Sequence, residues 1–285
     1  MNKRIIAKLD IKGPNLVKGI HLEGLRVMGD PAGFAEYYSK NGADELLYMD
    51  VVASLYERNS IHDLVSATAR KTFIPITVGG GLRTIDDIRA VLRAGADKVS
   101  INTAATRDPG FIRSAAQIFG NSTIVVTIEA IKSPADGKYY AYVDNGREET
   151  GKEVVSWAQE AARLGAGEIV ITSVDREGTG EGYDVALTRA VADAVDVPVV
   201  ACGGAGSPDD IAAVLSTGRA DAAAVASVIH YQRLDDLEGE HSAGHSEGNV
   251  EFIKSRRSFS KIHPVTIPAI KKHLVEASVQ VRPTP

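Results

Sequence analysis

Eight short runs of β-branched and apolar residues punctuate the chain, at 5–9, 46–50, 75–78, 98–101, 123–128, 169–173, 197–201 and 222–225. Turn residues bound these runs, and each run has the length of a strand rather than a helix. That is the pattern of strands buried on both faces of a parallel sheet. Between the runs the period changes. Asp86 to Arg93 and Asp209 to Leu215 open on acidic residues and then place apolar side chains at helical spacing, so both predict helices. Strand followed by helix, eight times over, predicts a (β/α)8 TIM barrel, with a doubly wound open sheet as the competing architecture.

An internal repeat favours the barrel. Ile74-Pro75-Ile76-Thr77-Val78-Gly79-Gly80-Gly81, followed by Asp86-Asp87-Ile88, is answered by Val197-Pro198-Val199-Val200-Ala201-Cys202-Gly203-Gly204, followed by Asp209-Asp210-Ile211. A spacing of 124 separates Gly80 from Gly204 and Asp97 from Asp221. Upstream, Gly42-Ala43-Asp44-Glu45 answers Gly165-Ala166-Gly167-Glu168, and Ile5 to Asp10 answers Ile124 to Glu129. Solenoid units run to about 20–50 residues, so this period is that of two fused halves with four strands each. The half-barrels are expected at about 1–118 and 119–234, with a C-terminal helix at about 265–278. All 285 residues then belong to one barrel, which suits a fold that commonly takes about 250.

Composition narrows the chemistry. A net charge of −5 argues against a nucleic-acid binder, which would carry a basic excess. The single cysteine, Cys202, excludes an intrachain disulfide and a cysteine-rich metal site, so no metal and no cofactor is expected. No apolar run approaches the roughly 20 residues of a membrane span, and a cytoplasmic setting is the expectation.

Barrel chemistry sits at the C-terminal ends of the strands. Asp10 and Glu129 close strands 1 and 5, and as a symmetric pair of carboxylates they suit general acid and general base work. The competing reading is that each acid caps a loop or pairs with Lys8 or Lys18. Gly79-Gly80-Gly81 and Gly203-Gly204-Ala205-Gly206 follow strands 3 and 7, while Asn102-Thr103 and Ala226-Ser227 follow strands 4 and 8. Glycine-rich turns let backbone N–H groups approach an anion, so two such turns predict a ligand with a phosphate at each end. A tight turn without a ligand is the plain alternative for either one alone.

These residues resemble a known family. Leu9-Asp10, Val17-Lys18-Gly19, Gly29-Asp30-Pro31, Thr77-Val78-Gly79-Gly80-Gly81, Ala96 to Ala105 and Gly203-Gly204-Ala205-Gly206 make the chain similar to the cyclase subunits of imidazole glycerol phosphate synthase. The resemblance covers 1–232 and resumes near 265–282; the phosphoribosyl-isomerase barrels share the repeat but match these segments less. It implies a lyase that uses ammonia from a glutaminase partner, in a heterodimer, to break and recyclise a bisphosphorylated aminoimidazole-carboxamide nucleotide in histidine biosynthesis. It implies catalytic roles for Asp10 and Glu129, and substrate binding by Lys18, Gly81, Asn102, Thr103, Gly204, Ala226 and Ser227. It also implies an ammonia gate of Arg4, Glu45, Lys98 and Glu168. Those four residues open predicted strands 1, 2, 4 and 6, where two cations and two anions can neutralise one another; a structural salt-bridge ring is the alternative.

The chain departs from the family pattern in particular places. Glu129 and Glu177 each stand where the family has aspartate, and Lys8 stands where it usually has a small Cys, on the same side of the strand as Asp10. About 235–262 is an added segment after strand 8, carrying His241, His245 and the basic run Lys254-Ser255-Arg256-Arg257. It reads as a lid whose Lys254, Arg256 or Arg257 reaches a bound phosphate. His241 and His245, set amid Gly and Ser, read as part of a solvated loop rather than a metal site. Two functions fit the residues: the histidine-pathway cyclase, and a related subunit that channels ammonia to another enzyme in amidino-sugar synthesis.

Overall fold

The computed structural model describes residues 2–52, 61–240 and 261–284. In chain order the strands are β1 (Arg4–Lys12), β2 (Asn15–Ile20), β3 (Glu23–Gly29), β4 (Glu45–Asp50), β5 (Ile76–Gly79), β6 (Lys98–Ile101), β7 (Ile124–Lys132), β8 (Tyr139–Val143), β9 (Glu148–Glu153), β10 (Glu168–Ser173), β11 (Val199–Cys202) and β12 (Ala222–Val225). Eight of them pair in parallel in the order β1–β4–β5–β6–β7–β10–β11–β12, and β12 pairs with β1 to close a (β/α)8 barrel. Closure excludes the open-sheet alternative.

Strand alternation divides the core in two. Ile5, Ala7, Leu9 and Ile11 of β1 face the surrounding helices in the large outer core. Ile6 faces inward, where it meets Leu47, Val125, Val170, Val200, Ala222 and Ala224 in a small apolar plug. The charged inward side chains of the described residues lie above and below this plug.

The repeat is visible as matched local devices. Thr84 and Asp87 form a reciprocal capping box on the helix Ile85–Ala94, and Ser207 and Asp210 do the same on Pro208–Ser216. The aspartates of the Gly-Ala-Asp and Arg-Ala-Asp turns tie the strand starts together. Asp44 accepts from Ile5 N at 2.7 Å, Asp97 from Ile76 N at 2.8 Å and Asp221 from Val199 N at 3.0 Å. The second half breaks the series at Gly167, which keeps the shared backbone bond, here to Ile124 O, but has no carboxylate, and where a Cβ would stand 2.2 Å from Asn121 O.

Two hairpins lie outside the eight runs that the pattern marks. β1 and β7 run past the barrel rim and pair antiparallel with β2 and β8, which in turn pair with β3 and β9. β9, Glu148–Glu153, has the sequence EETGKE and little apolar alternation, so nothing local marks it as a strand. Both hairpins follow the strand of a candidate acid, and the two halves match here as well.

The helix Ser227–Glu240 continues through the first residues of the segment expected to begin at 235. His241, His245, Lys254, Arg256 and Arg257 lie outside the described residues. The end of that segment is held beside the turn after β11, where His263 N donates to Gly206 O at 2.8 Å and Ile262 is buried. The final helix, Ile267–Glu276, docks through Lys271 Nζ, 2.8 Å from Asp44 Oδ1. No described helix is long and apolar enough to cross a membrane.

Candidate active site

Asp10 lies near the C-terminal end of β1 and Glu129 near that of β7, and both are buried at the barrel mouth. Lys8, one inward position below Asp10, brings its ammonium 2.8 Å from Asp10 Oδ1, yet off the direction of a hydrogen bond, so that oxygen has no aligned donor. The β2–β3 hairpin carries Lys18 over the mouth, with Nζ 3.7 Å from Asp10 Oδ2 and in direct contact with Glu177. Glu177, in the loop after β10, lies 3.5 Å from Lys8 Nζ. Lys8, Asp10, Lys18 and Glu177 thus form a ring of alternating charge, all of it buried.

The two glutamates of the mouth differ. Burial alone would raise the Glu177 carboxyl, but Lys18 and Lys8 more than offset it and bring its pKa below the ordinary glutamate value. For Glu129 burial wins. The Gly146 N–H, 2.7 Å from Oε2, and the charge of Lys8 pull it back only in part, leaving a pKa of about 7. Lys8 itself is held above the ordinary lysine value, because Asp10 and Glu177 outweigh the cost of burying its ammonium.

Two cavities flank this cluster. The first, of about 380 Å³, is lined by Gly81, Asn102, Thr103, Arg107 and Glu129. Its glycine turn has a geometric cause. Gly80 has φ +99°, and a Cβ there would stand 2.2 Å from Asp50 O. The second cavity, of about 240 Å³, is lined by Lys18, Arg26, Gly178, Ser227 and Tyr231. Gly204 and Ala226 do not line it. Gly204 packs against the neighbouring loop, accepting from Gly182 N at 2.8 Å, and Ala226 O accepts from His230 N at 2.9 Å at the start of the helix after β12.

At the opposite end, Arg4, Glu45, Lys98 and Glu168 meet in one closed ring. Arg4 contacts both glutamates, while Lys98 Nζ lies 3.1 Å from Glu45 and 3.0 Å from Glu168. Burial disfavours the Arg4 guanidinium, but the two glutamates outweigh that and raise its pKa. The apolar plug separates this ring from the mouth.

Lys8 and Glu177 stand out in the sequence only as departures, and the fold makes them part of the site. Arg26 and Tyr231 carry no sequence signal. They reach the second cavity because the β2–β3 hairpin folds back toward the helix after β12, so that residues 205 positions apart in the chain line one space. The hairpins also meet each other, since Asn145 Nδ2 donates to Leu22 O at 2.9 Å.

The fold and site define a half-repeated (β/α)8 barrel with paired acids at its mouth and a charged ring at its base. The model of the family described as "Histidine biosynthesis protein" matches residues 4–235. The chain is 54% identical over 209 residues to "Imidazole glycerol phosphate synthase subunit HisF" of Legionella pneumophila, covering 73% of this chain and 98% of that protein. It is 47% identical over 240 residues to the protein of the same name from Nostoc sp., covering 84% and 93%. With the one from Alkaliphilus metalliredigens it shares 46% over 234 residues, covering 82% and 92%. The chain belongs to this histidine-biosynthesis family, within the imidazole glycerol phosphate synthase cyclase subunits.

Proposed function

We propose that this chain is the ammonia-dependent cyclase–lyase of histidine biosynthesis, working as one subunit with a glutaminase. It converts a bisphosphorylated aminoimidazole-carboxamide nucleotide and ammonia to imidazole glycerol phosphate and aminoimidazole carboxamide ribotide. The observation that carries this reading is the two-ended barrel: a charged ring at the base and an acid pair at the mouth between two cavities. The names of the relatives support the cyclase over the channelling alternative.

Breaking and recyclising the substrate requires protons to be delivered and removed at different atoms. Glu129, with a pKa of about 7, can hold a proton and release it near neutrality, which suits the general acid. Asp10, fixed between Lys8 and Lys18, suits the general base. Gly81, Asn102 and Thr103 would receive one phosphate. Lys18 and Ser227, joined by Arg26, would receive the other. Gly204 and Ala226 serve this second site as backbone supports. Arg4, Glu45, Lys98 and Glu168 would admit ammonia from the glutaminase.

The test is incubation of the purified protein with the bisphosphate nucleotide and an ammonium salt. Formation of both products is expected. Their absence, in a protein that still binds the glutaminase, would overturn the cyclase reading.

A further inference from the structure

The acid–base pair at the mouth is accompanied by a charge to which the reaction as proposed gives no part beyond its place beside Asp10. Lys8 projects into the barrel interior between the apolar plug and the two candidate acids, and only 6% of it is exposed. A buried ammonium is costly unless paired, and a residue serving only to fill that layer would be apolar or small. The inward neighbours are of that kind: Ser100 and Thr127 bond each other, and Cys202 is an uncharged thiol raised by burial to about 11. Lys8 instead spends its charge on Asp10, at 2.8 Å, and on Glu177, at 3.5 Å.

A count of charges gives the consequence. The groups that face this cluster are Lys8 and Asp10 on β1, Lys18 on β2, Glu129 on β7 with Asp144 beyond it, Glu177 after β10, Cys202 on β11, and His230 on the helix after β12. His230 is kept neutral, its pKa pushed down to about 3 by burial and by Lys18. Two cations then face Asp10 and Glu177, and the inner cluster is neutral when Glu129 carries its proton. Removing Lys8 leaves Lys18 alone against three carboxyl groups.

We propose that Lys8 is a positioning residue for the acid–base pair: its ammonium fixes the Asp10 carboxylate and supplies the counter-charge that divides the two acids into a fixed anion and a proton carrier. This rests on the cyclase reading for its kinetic test but not for its spectroscopic one. It also joins the three departures at 8, 129 and 177 into one unit. A lysine at 8 reaches both Asp10 and the longer acid at 177, and Glu129 lies within range of its field.

The test uses the full chain in complex with the glutaminase, as wild type, Lys8→Met and Lys8→Gln, the second guarding against a folding failure of the first. With ammonium as nitrogen donor, kcat is expected to fall on the order of 100-fold while KM changes little, as for a displaced catalytic group. The pH limb due to Glu129 should move upward from about 7, because Lys8 lowers that value in the wild type. Carbon-13 NMR of the labelled Glu129 carboxyl, in wild type and variant, reads the same change without turnover. A wild type that makes no product sinks the cyclase reading, and the NMR titration still decides the role of Lys8. If a folded variant keeps both the wild-type kcat and the wild-type Glu129 titration, Lys8 is structural only and the proposal is overturned.

Discussion

The two ends of this barrel bury charge in different ways. At the base, two cations meet two carboxylates, and each glutamate is contacted by both Arg4 and Lys98. At the mouth, two cations face three carboxyl groups. Asp10 Oδ1 has no aligned donor, and Glu129 relies on one backbone N–H and an asparagine. A balanced ring has every charge answered and gains nothing by exchanging a proton. An unbalanced cluster favours holding a proton, and here burial makes Glu129 the group that takes it up most readily. The difference is what the proposed division of roles, passage at the base and acid–base chemistry at the mouth, requires.

The largest expected effect tests the mouth. Asp10→Asn keeps the size of the side chain and removes its charge, so ammonium-driven turnover should drop by about 10²–10⁴. Lys8 and Lys18 then face Glu177 and Glu129 alone, so the Glu129 pKa should fall below its wild-type value, readable by carboxyl NMR. Ordinary turnover in the folded variant would remove Asp10 from the chemistry.

The next tests the base. Lys98→Met leaves Glu45 and Glu168 sharing Arg4; breaking a fully buried pair from one side costs about 3–5 kcal/mol, and the partial exposure of Lys98 brings the expected loss to about 2 kcal/mol. Chemical denaturation measures this. A loss near zero would mean that solvent, not the ring, balances these charges. The same variant should lower glutamine-driven turnover more than ammonium-driven turnover if the ring gates the passage.

A comparable effect separates the two ends by pH. Glu129 has a folded value of about 7 against an ordinary 4.5, so its contribution favours the fold at low pH and is lost as pH rises from 4.5 through 7. Glu129→Gln removes that dependence. Relative to wild type, the variant should gain about 2–3 kcal/mol of stability between pH 5 and pH 8, since each tenfold change in proton affinity is worth about 1.4 kcal/mol. A flat difference across that range would contradict the raised value.

The smallest effect sets the scale for a polar contact belonging to neither end. Thr84→Ala removes one half of an exposed capping box and should cost about 1 kcal/mol, with turnover unchanged. Urea midpoints of this variant and of Ser207→Ala should move together, since the two halves use the same device.

Much of this was legible along the chain. The barrel strands start within two residues of the runs expected for them, because buried parallel strands must be continuous in apolar residues, while β1 and β7 run three and four residues past the expected ends into their hairpins. The charged ring at the base was legible for the converse reason, since charge at the start of an otherwise apolar strand has few explanations. Gly204 and Ala226 mark the limit of such reasoning. They stand in the right turns, yet the second cavity is lined by Arg26 and Tyr231 instead.

By itself the sequence determined the half-repeated barrel, the paired acids at Asp10 and Glu129, and the charged positions at the base. All of these follow from period, strand length and strand-end position, which are local properties. Only the tertiary structure decided what the mouth does with its charge. The hairpins after β1 and β7 bring Lys18 and Gly146 onto Asp10 and Glu129, and the loop after β10 brings Glu177 onto Lys8. The state of a buried acid depends on how far water is excluded and which charges stand within a few ångströms, and neither quantity is written in the order of residues.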